Sequence, residues 1–382
     1  MRVLMIAPAP FEYDRGKSIR IRQTVTHLAD LGYEIDVLTY PVGDDPEREG
    51  VSLTRAPELF AQVAPSVPGV TLRQLGSNAA LLVHAIRKLR RHRYDVIHAH
   101  DVDGALIGQV ARLLTRRDVP LVYDMHGTFE ELNEQYDVVD TPGVADRLQS
   151  YLHDAVDHLV VNWPHIEDLL KTDTPRTLIL DEPDPAVCDR LERLRSGEVT
   201  PTSNPWGDTQ YVLYTGNYAE YQGVDLLLAA FDRLDTDGER KLVLTGDDTE
   251  APQTTNRDVV YTGFVDEERL ADLLFGADVL VSPRQTDGFP PMKVLYYLRT
   301  DAPMVVTDRT CHTSVLDGLD GVTFADETPA AFAEAIREAL ADRTRYSRSV
   351  SRSTGTDAYR RIYEQLVTAT TNSTQPPTTH RS

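Results

Sequence analysis

Short apolar runs alternate with amphipathic stretches along most of this chain, and the alternation predicts a parallel α/β protein. Arg2–Ala7 is an apolar strand. The loop Pro8–Lys17 leads to a helix from Ser18 with a stripe of Ile21, Val25 and Leu28, and Gly32 stops it. Glu34–Thr39 is the next strand, so the chain opens on a βαβ unit. Residues 41–76, rich in Pro, Gly and Asp, yield only a strand at Val51–Thr54. Asn78–Arg93 is an amphipathic helix with Leu82, Ile86 and Leu89 on one side. Val96–His98 is a strand, Gly104–Leu114 a helix, and Leu121–Asp124 a strand that leads into His126. A helix over Val144–Asp157 precedes strands at Leu159–Val161 and Thr177–Leu180.

Between Asp181 and Asp208 the pattern lapses into a charged, proline-dotted segment. It restarts with a strand at Tyr211–Thr215, the loop GNYAEYQG and a helix over Val224–Leu234. Strands at Lys241–Thr245 and Val259–Tyr261, a helix at Glu267–Phe275 and a strand at Ala277–Ser282 follow. Then come a helix opened by Pro290 and Pro291, strands at Met304–Thr307 and Val322–Phe324, and a helix at Pro329–Ala341. The organisation expected is an N-terminal domain over 1–181, a linker over 182–208 and a C-terminal domain over 209–345. A helix over 356–369 joins the first domain, and 370–382 is a disordered tail. This is α/β with two doubly wound Rossmann-like domains facing across a cleft, where a ligand is expected at the carboxyl ends of the strands.

Composition narrows the functions. A net charge of −21 would repel nucleic acid, and no basic face of matching size offsets it. The 39 basic residues include only five lysines, and acid excess with arginine in place of lysine reads as adaptation to a salty cytoplasm. No run of eighteen apolar residues exists and the N-terminus enters a strand directly, so a cytoplasmic protein without signal peptide or membrane span is expected. Cys188 and Cys311 are isolated, which indicates neither a disulfide framework nor a zinc site. The turn after the first strand lacks G-x-G-x-x-G, having only Gly16, and this argues against a dinucleotide cofactor and an oxidoreductase.

The stretch ADVLVSPRQTDGFPPMKVLYYLR, residues 277–299, concentrates the candidate chemistry. Arg284 lies just past a strand, a polar loop carries Gly288, and Lys293 falls in the first turn of a helix, where the macrodipole disfavours a cation unless an anion joins it. That combination predicts a phosphate site. Asp101 and Asp103 have a spacing that is common by chance, and no metal site is assigned to them.

Several segments, in order over nearly the whole chain, resemble glycosyltransferase family 4, the group 1 enzymes with the GT-B fold. They are LMIAPAPFEYDRGKSIRIRQTVTHLADLGYEIDVLTY, the pair IHAHD and YDMHG, YTGNYAEYQGVDLLLAAF, and ADVLVSPRQTDGFPPMKVLYYL with PMVVTD and CHTSVL. The resemblance implies that the second domain binds a nucleoside diphosphate sugar and that the first shapes the acceptor side, where Gly16 falls. It also implies transfer with retention and without an essential metal or cofactor. Arg284 and Lys293 would then stabilise the departing diphosphate. Gly216 and Asn217 would let backbone N–H groups approach it at the N-terminus of the Val224 helix. His126 would face the reacting sugar, in sugar and transition-state contacts ahead of a general-base role. His98 and His100 rank below it, the first pointing into the sheet.

The chain departs from the family at three places. Asn217 and Gln222 stand where an Arg and a Lys are usual, and of two glutamates seven residues apart only Asp287 is a counterpart, since Leu295 and Tyr296 are not acidic. The function expected is transfer of a hexose-type sugar to a lipid-linked saccharide or other glycan acceptor. The alternatives are a sugar-nucleotide 2-epimerase of the same fold and a catalytically degenerate sugar-nucleotide-binding subunit. A lipid-linked acceptor gives meaning to Arg87, Lys88, Arg90, Arg91 and Arg93, a basic block in an acidic chain that predicts peripheral contact with the inner face of a membrane.

Overall fold

The computed structural model describes residues 1–11, 16–43, 48–60, 72–127, 142–202, 206–207, 209–234, 238–246, 251–287, 290–348 and 355–373. They form two compact units. One is Met1–Asp181 with Ser353–Ser382, the other Glu182–Arg352.

The first unit holds seven parallel strands, β1 (Arg2–Ala7), β2 (Glu34–Thr39), β3 (Val51–Arg55), β4 (Val96–His100), β5 (Leu121–Met125), β6 (His158–Val161) and β7 (Arg176–Leu178), in the order β3-β2-β1-β4-β5-β6-β7. Val3 to Ala7 are all buried, as expected of a parallel strand covered on both faces. Val3, Met5 and Ala7 share one core with Ile21, Val25 and Leu28 of α1 (Gly16–Asp30), and with Tyr359, Ile362 and Tyr363 of the C-terminal helix Gly355–Ser373. The chain therefore ends by covering the sheet it began with.

The basic helix, α2, runs over Leu72–Arg91 rather than from Asn78. Ser77 is buried within the helix, and Oδ1 of Asn78 accepts from the Tyr40 hydroxyl at 2.8 Å. The fully buried line is Ser77, Leu81, Ala85 and Leu89, whereas Leu82 and Ile86 are half-buried. The helices α3 (Asp101–Thr115), α4 (Pro142–Ala155) and α5 (Pro164–Leu169) complete the described elements of this unit.

The second unit has six parallel strands, β8 (Gln210–Thr215), β9 (Arg240–Thr245), β10 (Val259–Gly263), β11 (Val279–Ser282), β12 (Met304–Thr307) and β13 (Val322–Ala325), in the order β10-β9-β8-β11-β12-β13. The segment 182–208, expected as a linker, contains α6 (Pro185–Arg195) and belongs to this unit. The Asp184 side chain caps it through Ala186 N, and Nε of Arg190 donates to Asp272 at 3.1 Å. Four prolines and a charged surface hid an eleven-residue helix. The helices α7 (Val224–Phe231), α8 (Glu267–Gly276), α9 (Met292–Tyr297), α10 (Thr310–Leu316) and α11 (Pro329–Asp342) flank the sheet. Among the described residues no helix is long and apolar enough to cross a membrane. Gly288 and residues 374–382 lie outside the described residues.

Counted from the first strand of each sheet, both run 3-2-1-4-5-6, the first sheet adding β7 as a seventh strand at its edge. The order reverses between β1 and β4 and again between β8 and β11, and ligands of doubly wound folds bind beyond the carboxyl ends at such points.

Candidate functional site

At the second reversal, β8 ends at Thr215 with Gly216 next, and β11 is followed by Arg284, so one residue from each side flanks the crevice. Arg284 is buried to 4% exposure; its Nε donates to Thr286 O and Oγ1, its Nη2 reaches Asp287 O at 3.4 Å, and its guanidinium lies over Tyr221, 5.2 Å from the ring centroid. Lys293, 6% exposed, donates from Nζ to Oε1 of Gln222 at 2.8 Å and sits 3.9 Å from the Tyr214 ring centroid. Neither cation is ion-paired with a carboxylate among the described residues. Two desolvated cations without a counter-anion are expensive, and an anionic ligand would offset the cost. Burial, with Arg284 adding to it, pulls the Lys293 amine well below the ordinary lysine range.

Arg284 is held from behind. Nδ1 of His312 donates to Thr307 O at 2.9 Å, its Nε2 pairs with Ser282 Oγ at 2.9 Å, and the Thr307 hydroxyl donates to Arg284 O. Burial lowers His312 to about 4, so the ring is neutral and this tautomer locks the ends of β11 and β12 together.

Gly216 differs from its expected role. Its N–H donates to Thr245 O at 2.9 Å and is not available to a phosphate. With φ at +133°, a Cβ there would lie 3.1 Å from both Cε and Nζ of Lys293, so the glycine is what admits the lysine. Asn217 uses its carbonyl, which accepts from Tyr214, and its Oδ1, which accepts from Ala219 N, to shape its own loop; neither bond involves its N–H. Asp287 also turns elsewhere: its carboxylate takes bonds from Thr310 N at 2.8 Å, Thr310 Oγ1 at 2.7 Å and Arg309 Nη1 at 3.2 Å, at the start of α10. Burial would raise that carboxyl, but those bonds outweigh it and hold it below its usual range. Leu295 is buried, and the Tyr296 hydroxyl accepts from Asp184 N at 3.0 Å. The helix α9 is only six residues long, so the positive charge of the site comes from side chains more than from a macrodipole.

At the first reversal the histidines belong to a larger buried network. His98 and His100 alternate along β4 and so share one face, and Asp124 stands beside His100 in the register of β5. His98 is buried as expected, but with both ring nitrogens in use: Nε2 is 3.3 Å from Asp124 Oδ2 and Nδ1 is 2.8 Å from the Tyr363 hydroxyl. Asp124 further accepts from Nε of Arg20 at 2.9 Å and from the Tyr359 hydroxyl at 3.1 Å, while Arg20 also reaches Asp181 at 2.6 Å. Burial would raise Asp124, yet Arg20 and His98 hold it well below the carboxylate range. His126, half-buried, meets His100 with its Nε2 2.9 Å from His100 Nδ1. Gly16 begins α1, four residues before Arg20.

His98, His100 and Asp124 place donor atoms within 4.8 Å of one another. The Arg20 guanidinium on Asp124 opposes a second cation there, and the donors already bond one another and the tyrosines, so the set is a hydrogen-bond network. Asp101 opens α3 in the left-handed region at φ 60°, with its carboxylate paired to Lys17. Arg20, Asp124 and the two tyrosines went unremarked in the sequence, although a charged Arg20 next to Ile21 on the buried stripe was a signal.

Two Rossmann-ordered sheets, each reversing its order next to its first strand, have the GT-B fold. Residues 15–178 match the family model "Glycosyltransferase Family 4" and residues 209–342 match "Glycosyl transferases group 1". The chain belongs to this family and is a glycosyltransferase. It is 26% identical to a D-inositol 3-phosphate glycosyltransferase of Geodermatophilus obscurus, over 93% of this chain and 84% of the relative. Among solved structures it resembles sucrose-phosphate synthase from Thermosynechococcus elongatus, with TM-score 0.64, 17% identity and 97% of each chain covered. It also resembles Anabaena Alr3699/HepE in complex with UDP, with TM-score 0.64, 14% identity and 98% of each covered.

Proposed function

We propose that this enzyme transfers a hexose-type sugar from a nucleoside diphosphate sugar, with retention, to a phosphorylated polyol, a lipid-linked saccharide or another glycan acceptor. The observation that carries the reading is the buried pair Arg284 and Lys293, two cations without carboxylate partners among the described residues at a strand-order reversal. As the sugar leaves, negative charge grows on the diphosphate, and preorganised donors in a dry site stabilise that charge more than they stabilise the bound donor. No metal is needed to perform this task if both side chains are charged. A related glycosyltransferase acts, by its name, on D-inositol 3-phosphate, which adds a polyol phosphate to the acceptor classes.

His126 serves the sugar side of the reaction. Exposed Arg87, Arg90 and Arg91 on α2 serve a membrane-borne acceptor, but Lys88 does not, because its Nζ is held by Asp36 at 2.8 Å. A panel of nucleotide sugars, each incubated with inositol phosphates and lipid-linked saccharides, tests the proposal. One donor should yield transferred product, and His126→Ala should lower kcat with little change in nucleotide affinity. Interconversion of the donor without transfer would favour the epimerase alternative and overturn the reading.

A further inference from the structure

Two imidazoles share a proton at the carboxyl edge of the first sheet. Nδ1 of His100 and Nε2 of His126 lie 2.9 Å apart, so one ring donates and the other accepts. Two observations decide which. The other nitrogen of His100, Nε2, is buried with no hydrogen-bond partner, and a buried N–H without an acceptor is rarer than an unused lone pair. On the opposite edge, Asp124 Oδ2 lies 3.9 Å from His100 Nδ1, and its negative charge favours a proton on the nitrogen that faces it. Both place the proton of His100 on Nδ1. Nε2 of His126 is then an unprotonated acceptor, and a neutral His126 carries its own proton on Nδ1.

We propose that His100 is a positioning residue that fixes His126 as the Nδ1–H tautomer, making it a hydrogen-bond donor to the transferring sugar rather than a base. The consequence for catalysis rests on the placement of His126 at the sugar proposed above. Burial lowers both imidazoles, despite the opposing charges of Asp101 and Asp124, which agrees with two neutral rings and one shared proton. His100 is itself rigid: its ring packs 4.8 Å from that of His98, which Asp124 and Tyr363 hold from both edges. Among the described residues Nδ1 of His126 has no hydrogen-bond partner, so its proton is free to meet a sugar oxygen on which charge develops.

Selective ¹⁵N labelling of the imidazoles reads the tautomer directly, without substrate. Wild-type His126 should be neutral, protonated on Nδ1 and bare on Nε2. In His100→Ala the Nε2–H form should gain, whereas His100→Asn, whose amide nitrogen occupies the place of Nδ1, should keep the wild-type tautomer. In transfer assays His100→Ala should lower kcat about tenfold with the donor KM within about twofold, and His100→Asn should recover most of the loss. A wild-type His126 protonated on Nε2, or a tautomer unmoved by His100→Ala, overturns the proposal. If the tautomer behaves as expected but His126→Ala transfers sugar at the wild-type rate, the proton assignment stands and the placement of His126 at the sugar falls.

Discussion

Nζ of Lys293 donates a 2.8 Å hydrogen bond to Oε1 of Gln222, so the amide that stands where the family usually has a lysine receives a cation from 71 residues further along the chain. The cation comes from the other side of the crevice. With Arg284 beside it, the crevice keeps two basic side chains although residues 217 and 222 are Asn and Gln.

Replacing Arg284 with Ala, or Lys293 with Met, should each lower turnover by on the order of 10²-fold, the scale for losing one preorganised donor. Lys293→Met should change the stability of the unliganded protein little, because relief of a poorly solvated amine offsets the loss of its bond to Gln222. Steady-state rates and chemical unfolding check both. A methionine variant with wild-type turnover would remove Lys293 from the site.

Nucleoside diphosphate binding should take up protons. In the unliganded protein burial and Arg284 depress the Lys293 amine well below its ordinary 10.5, and an arriving diphosphate pulls it back up. Affinity should therefore be greatest below the depressed value and decline as pH rises through it. Calorimetry in buffers of different ionisation enthalpy measures the uptake; proton release on binding would contradict the assignment.

Gly216→Ala should impair the enzyme without touching substrate. A methyl at φ +133° is strained and would lie 3.1 Å from Cε and Nζ of Lys293, displacing the amine from Gln222. Nucleotide affinity should drop about tenfold or more, the equivalent of one charged hydrogen bond. Unchanged nucleotide affinity in this variant would show that Lys293 tolerates the displacement.

Asp124→Asn breaks a buried pair with Arg20 and should cost about 3 kcal/mol, since Arg20 keeps Asp181. The contribution follows the sign of the shift. A carboxyl held below its ordinary 3.8 stabilises fully above that value and loses the effect as pH falls through the depressed one. Urea midpoints for parent and variant should therefore differ most near neutral pH and converge in acid.

Weak, salt-sensitive sedimentation with anionic liposomes is expected and should vanish when Arg87, Arg90 and Arg91 become Gln, each cation near the surface contributing about 1 kcal/mol. Lys88 is left alone because it neutralises Asp36 together with Arg2. Equal sedimentation of parent and triple variant at low salt would make this face ordinary surface.

Strand and helix periodicity placed the parallel α/β class, the alternation and the positions of Arg284, Lys293 and His126 within reach of the sequence, because buried parallel strands are continuous apolar runs and loops at their carboxyl ends carry the polar residues. Periodicity reports which face of an element is covered, not what covers it. It could not reveal that Gly216 makes room for Lys293 rather than offering its N–H, that Asp287 caps α10, or that Lys88 belongs to Asp36. Each of those choices depends on side chains 20 to more than 70 residues apart in sequence meeting in the fold. The same holds for the network of Arg20, His98, His100, Asp124, Tyr359 and Tyr363, in which the C-terminal helix supplies one hydroxyl to His98 and another to Asp124, both more than 200 positions earlier. Only the folded register brings those groups within hydrogen-bond range, and their burial sets where each proton resides.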